Sequence, residues 1–348
     1  MIVAQTANIT SHSSGRPIAF PNPIEILQEG LAVVICTYQR ADSLKRFFES
    51  LAIQDYKPDQ LIIIDASPSE ETEQMLRAFP DVESLAGQLL YFRVAEPYRG
   101  LPRQRNFALR WVATDLVAFF DDDVVLLPGC LTEMEQVHRS AAEPVAGVGA
   151  FAQNQSLPPG TLPLWRTRLM LRMMSDFRPG RYHRSGVSTP WDLLAPTEKL
   201  VEGDWLSGCA MMWKTELARE IGFNEAFQGY ALGEDLDFSL RAGRKGKLLV
   251  AGKAHVLHLY ETNGRPDPFN WGYMAIYNRY DIHRRLLPDR TWRDTAWFIY
   301  VWTVDTLLLA RHAFSPGRRV DILKRVAGRL KATYDLIRGR RARERVDR

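Results

Sequence analysis

The carboxylates of this chain gather in two places where they could do chemistry. Asp121, Asp122 and Asp123 close the apolar, aromatic run Leu116 to Phe120, and Glu234 and Asp235 follow the glycines Gly229 and Gly233. An acid triplet at the tip of a buried strand suits a hard divalent cation carrying phosphates, because Mg²⁺ or Mn²⁺ takes one or two protein oxygens and shares the rest with substrate and water. The same triplet also reads as a solvated loop, or as a helix start favoured by the macrodipole. Glu234 and Asp235 fall in the first turn of a helix, where the dipole keeps carboxylates ionised; a fixed, ionised carboxylate facing a crevice is a suitable general base. His255 and His258 lie three apart on a strand-like run. That odd spacing puts them on opposite faces, which argues against a joint zinc site.

These groups need elements that bring strand ends together. Leu31 to Tyr38, Gln60 to Asp65 and Leu89 to Ala95 read as strands, the first two as continuous apolar runs of the kind buried on both faces of a parallel sheet. Between them lie helical patterns, one carrying Leu44, Phe47, Phe48 and Leu51 and another near Glu71 to Phe79, and an amphipathic stretch from Pro102 to Val112 leads into the carboxylate strand. The alternation predicts a doubly wound α/β unit over 31–136, and in such a sheet ligands sit beyond the carboxyl ends of the strands. Asp65 at a strand tip can accept from a base N–H or a ribose hydroxyl, or it can cap the Ser67-Pro68-Ser69 turn. The loop Cys36 to Ala41 has no glycine, so it is neither a dinucleotide-binding turn nor a phosphate-cradling P-loop.

Regular patterning lapses from Val145 to Leu200 around an Arg- and Met-rich piece, Leu164 to Met174. Its Met and Leu residues suit core packing, while Trp165, Arg166, Arg168 and Arg172 could line an acceptor channel. Gly203 to Trp213 reads as a strand with a glycine kink, followed by a helix at Thr215 to Ile221, and Leu248 to Leu259 as a further strand.

At 348 residues the chain can bury a large core. Its formal charge of +4 conceals an asymmetry: from Arg318 to Arg348 there are 12 Lys or Arg against 4 Asp or Glu. Such a tail could meet anionic lipid, or be a solvated helix face; no recognition motif accompanies it, so nucleic acid is not an expected partner. Cys36, Cys130 and Cys209 are far apart and odd in number, as expected of reduced thiols in a cytoplasmic protein. Residues 1–30 lack a basic segment followed by an apolar core and read as an extended lead-in rather than a secretory signal. Ala296 to Ala310 is apolar but shorter than a bilayer span, so a buried or interfacial helix is expected there.

Taken together, Val33 to Tyr38, Ile63-Ile64-Asp65, Gly100 with Arg105-Asn106, Phe120 to Asp123, Leu206-Ser207-Gly208, Gly233-Glu234-Asp235 with Arg241, and His258 resemble the nucleotide-sugar-dependent glycosyltransferases of family 2, which have the GT-A fold. The resemblance spans roughly Leu31 to His258. It implies a GT-A-type, mostly parallel sheet over 31–260, with a nucleotide-binding half at 31–136 and an acceptor half at 137–260, and a helical, basic region at 261–348. Carried over by position, it implies that Thr37, Asp65, Gly100, Arg105 and Asn106 contact the nucleotide, with Asp121 and Asp122 beside them. Asp123, Asp121 and His258 would hold Mn²⁺ or Mg²⁺, Asp235 would be the catalytic base, and Glu234 and Asp237 would support it. The implied reaction is inverting sugar transfer from a nucleotide-sugar, UDP by default, to a glycan or lipid-linked acceptor in polysaccharide or glycolipid synthesis. The enzyme would be cytoplasmic or peripheral on the inner membrane face, docked through the basic C-terminal region. A sugar nucleotidyltransferase, or a non-catalytic nucleotide-sugar or glycan-binding relative, is the alternative.

Overall fold

The computed structural model describes residues 28–155, 161–261, 265–314 and 319–339. Nearly all of the expected lead-in, and the end of the basic tail, lie outside these residues. The strands β1 (Gln28–Thr37), β2 (Gln60–Asp65), β3 (Gln88–Arg93) and β4 (Thr114–Asp121) run parallel in the order β3-β2-β1-β4. They are connected through α1 (Ala41–Ala52), α2 (Glu71–Ala78) and α3 (Leu101–Leu109). The unbroken apolar run of β1 follows from burial on two faces: Val33 and Ile35 pack with Phe47 and Phe48 of α1, and Ala32 and Val34 with Phe107 of α3. Registers Thr37 with Asp65 and Cys36 with Asp121 align the three strand ends. The chain order reverses between β1 and β4, and such a switch point opens a crevice beyond the strand ends.

Past β4 the sheet is mixed. β5 (Val124–Leu126), α4 (Cys130–Ser140), β6 (Val145–Ala152), α5 (Thr161–Met170), β7 (Leu200–Gly203), β8 (Ala210–Lys214), α6 (Thr215–Ile221), α7 (Glu234–Ala242) and β9 (Lys247–His258) complete it. β8 lies antiparallel between β4 and β6, and β9 runs parallel to β6 and antiparallel to β5 and β7. Two expectations change here. The stretch after Val145 begins with a fully buried strand, β6, whose Val-Ala-Gly-Val-Gly-Ala-Phe-Ala sequence carries too few large side chains to announce itself. Gly203 to Trp213 forms two strands, β7 and β8, which pair with different neighbours across a turn at Ser207 to Cys209.

Three helices follow: α8 (Pro268–Leu286), α9 (Trp292–Ala310) and α10 (Arg319–Ile337). Asp267 caps α8 by accepting from the Phe269 and Asn270 amides, and Thr291 with Asp294 forms a capping box on α9. α8 and α10 cross at Gly272 and Gly328, where a Cβ would stand 2.1 Å from the Arg325 carbonyl oxygen and 2.0 Å from that of Phe269. Any side chain there would push the helices apart. Trp165, Met173 and Met174 form a buried cluster with Val301 of α9, and Arg168 pairs with Asp305. Trp165 and Arg168 are thereby taken up by packing rather than by a channel. The three cysteines are free. Among the described residues, no helix is long and apolar enough to cross a membrane.

Candidate active site

Strand pairing alone brings the first cluster together. Val124 is in register with His258, so Asp123, one residue earlier, lies beside the end of β9. One ligand atom each from Asp121, Asp123 and His258 falls within 4.8 Å of the others. His258 Nε2 stands 3.1 Å from Asp123 Oδ1, yet that buried oxygen accepts no aligned hydrogen bond among the described residues. Asp123 Oδ2 accepts from the Glu261 amide at 3.0 Å. Burial lowers the basicity of His258, but the Asp123 carboxylate outweighs it and holds the imidazole up at about 11. A cation taking the same atoms would replace that proton. Two carboxylates and an imidazole form a donor set suited to Mn²⁺ or Mg²⁺. Gln155 Nε2, 2.8 Å from His258 Nδ1, and Tyr260, stacked 4.3 Å from its ring, fix the imidazole from behind.

Asp122 points the other way. It accepts from Thr37 Oγ1 at 2.7 Å and from Arg40 Nη1 at 2.9 Å, and burial pushes its carboxyl up to about 7. It therefore ties the loop after β1 to the tip of β4. Arg40 also comes within 3.6 Å of Asp123. It was missed in the sequence, where the one signal was a basic residue in the loop facing the acid triplet.

The second cluster is built on Arg105. Its side chain is 2% exposed; it pairs with Glu234, approaches Asp121 at 3.4 Å, donates to the Gly208 carbonyl at 2.8 Å and lies over the rings of Phe119 and Phe223. Burial pushes the Glu234 carboxyl up, and the Arg105 guanidinium opposes it. Asp235, half-buried beside Glu234, accepts from the Gly208 amide through Oδ2 at 3.1 Å. A Cβ on Gly208 would lie 3.1 Å from Asp235 Cβ and 3.2 Å from Glu234 Oε1. The glycine is what lets the β8 turn and the α7 N-terminus meet. Asp237 is fully buried and held by Arg241 at 2.8 Å and by Arg285 of α8 at 2.5 Å.

Other residues singled out in the sequence are engaged by the fold. Asp65 is buried and accepts from the Ser67 amide at 2.8 Å and from the Tyr91 hydroxyl at 2.9 Å. It caps its turn, and a base contact would require that turn to open. Asn106 holds Phe223 on both sides, donating to its carbonyl at 2.9 Å and accepting from its amide at 2.7 Å. Gly100 caps α3 at φ 110°, with open space where a Cβ would be.

Residues 32–185 match the family described as glycosyl transferase family 2. Over that segment the chain resembles the family 2 glycosyltransferases. It is similar to the glucosyl-dolichyl phosphate glucuronosyltransferase of Haloferax volcanii, with 24% identity over 281 residues, 78% of this chain and 74% of that protein. A shorter match, 26% over 106 residues, covers 30% of it and 33% of the GalNAc(5)-diNAcBac-PP-undecaprenol beta-1,3-glucosyltransferase of Campylobacter jejuni. The mannosyltransferase of Pyrobaculum calidifontis, solved with GDP-Man and Mn²⁺, aligns over 92% of this chain and 91% of its own at 15% identity, with a TM-score of 0.53. That likeness establishes the shared GT-A fold.

Proposed function

We propose that this protein is a glycosyltransferase that moves a sugar from a nucleoside diphosphate sugar, taken as UDP-linked, to a hydroxyl of a lipid-linked glycan, inverting the anomeric configuration. The convergence of Asp121, Asp123 and His258 within 4.8 Å carries the reading. These three would hold Mn²⁺ or Mg²⁺, which supplies Lewis-acid stabilisation of the departing diphosphate. Asp235 accepts the proton of the acceptor hydroxyl as its oxygen bonds to the anomeric carbon and the carbon–phosphate oxygen bond breaks on the opposite face. Arg105 and the Gly208 amide hold Asp235 and its neighbour in place for that role. Residues 31–136 form the donor half and 137–260 the acceptor half, with 261–348 as the helical appendage. The lipid-linked acceptor is supported by the substrates named for the two relatives.

The test is nucleotide release from UDP-, GDP- and dTDP-sugars with Mn²⁺, Mg²⁺ or EDTA. Metal-dependent turnover of one donor is expected, lost in Asp123→Ala. In Asp235→Asn, acceptor-dependent transfer falls roughly 10²- to 10⁴-fold while calorimetric donor binding persists. Turnover indifferent to EDTA refutes the metal site, and a product that keeps the donor's configuration refutes inversion.

A further inference from the structure

Two helices of the appendage turn apolar stripes outward. On α9, Trp292, Ile299, Tyr300 and Leu307 are exposed, Leu307 by 65%. At 3.6 residues per turn they fall within an arc of about 100°. The acids of α9 face away from that arc: Asp294 is bound to Arg184, and Asp305 to Arg168 and Arg329. On α10, Val320, Leu323, Leu330, Tyr334 and Ile337 are exposed, Ile337 by 82%, and they too share an arc of about 100°. The opposite face of α10 carries Gly328, Ala332 and Asp335, buried against α8. Tyr300 donates to the Leu171 carbonyl at 2.8 Å; the other side chains of the two stripes are left exposed by the described residues. Exposed apolar surface on this scale marks an interaction site.

The edges of the stripes decide the partner. Arg338 and Lys331 lie 5.1 and 5.5 Å from the Tyr334 ring, Arg293 lies 5.7 Å from that of Trp292, and Lys324 is exposed along α10. Asp321, the exposed acid of α10, falls on the side of Asp335 rather than on the stripe. Past residue 339 the sequence adds Arg340, Arg341, Arg343, Arg345 and Arg348 against Glu344 and Asp347. Apolar stripes with aromatic residues and cationic edges match the boundary between anionic headgroups and acyl chains, where Lys and Arg reach outward while their stems stay apolar. Since no described helix can cross a bilayer, the helices would lie in its surface.

We propose that the outer faces of α9 and α10 dock this enzyme on an anionic lipid bilayer. The surface would present the crevice to the lipid-linked acceptor, and it rests on the reading above for its purpose alone; its own test reads lipid binding without turnover. The full-length protein is sedimented with vesicles of phosphatidylcholine, with or without phosphatidylglycerol, at low and high salt. Binding is expected to favour anionic vesicles, to weaken with salt, and to fall about tenfold in Ile299→Ser/Leu307→Ser and in Leu323→Ser/Leu330→Ser, with melting temperatures held. Absence of binding to either vesicle overturns the proposal. So does binding equal to the parent in both folded variants, or a dimer by light scattering that these substitutions dissolve without altering vesicle binding.

Discussion

The two sides of the crevice use their polar residues in opposite ways. Thr37 and Asp65 at the ends of β1 and β2, and Asp122 just after β4, are buried, and the hydrogen bonds found for their side chains run to other groups of the protein: Thr37 to Asp122, and Asp65 to the Ser67 amide and the Tyr91 hydroxyl. Across the switch point, Asp121, Asp123, His258 and Asp235 stand at the tip of β4, the end of β9 and the start of α7. There Asp123 retains a buried oxygen with no aligned donor, and Asp121 and Asp235 are only partly buried. On the proposed reading, the first set gives the crevice its shape and the second gives it reactivity. A motif residue can serve a family's chemistry by either route, and residue type alone does not say which.

Arg105 reaches Asp121 and Glu234 from α3, whose Gln104 donates to the Thr37 and Ile64 carbonyls at the ends of β1 and β2, so removing it is the most forceful way to break the comparison. Arg105→Met leaves Glu234 buried without its counter-charge and frees Asp121. Loss of one partner of a buried pair costs about 3 to 5 kcal/mol, read as a lower urea midpoint. Arg105→Met/Glu234→Gln, which removes the orphaned charge as well, should recover much of that loss. A cost under about 1 kcal/mol for the single change would mean that the two sides stand independently.

Gly208→Ala sharpens the comparison by disturbing the reactive side alone. The added methyl meets Asp235 Cβ at 3.1 Å and Glu234 Oε1 at 3.2 Å, so the α7 start must shift by a few tenths of an ångström. We expect kcat to fall about tenfold, near 1.4 kcal/mol, with donor affinity by calorimetry moving less than threefold. A donor affinity that falls in step with kcat would show that the division between the sides is wrong.

Much of this was legible in the sequence because it depends on periodicity and on strand ends. The apolar runs of β1, β2 and β4, the acid triplet and the glycine before Glu234 each have a local physical signature. What stayed hidden depends on pairing between distant segments. That β5 brings Asp123 to His258 is set by a three-residue strand, too short for a periodic signal. Asp122 and Asp123 have the same chemistry and different partners, set by the two-residue turn they form between β4 and β5. Arg40 acquires its partners only through the β1–β4 pairing. β6 was missed because Gly and Ala gave it no pattern, although its neighbours bury it on both faces.

A separate effect, on acid stability rather than on the crevice, comes from a histidine that has no share in the site. His258 lies beside carboxylates that raise it, whereas His138 on α4 is shielded by burial, which lowers it to about 4 from the usual 6.5. His138 Nε2 lies 3.2 Å from the Met212 carbonyl oxygen, and its Nδ1 is buried without a partner. A histidine kept neutral in the fold takes up its proton more readily when unfolded, so stability is complete above pH 6.5 and declines as pH falls from there toward 4. The decline attributable to this group is at most about 3 kcal/mol. His138→Gln keeps a donor for the Met212 carbonyl and removes the titration, so its unfolding midpoint should change less between pH 7 and pH 4.5 than that of the parent. Equal slopes would place the acid sensitivity of the fold in other groups and leave His138 as a neutral packing residue.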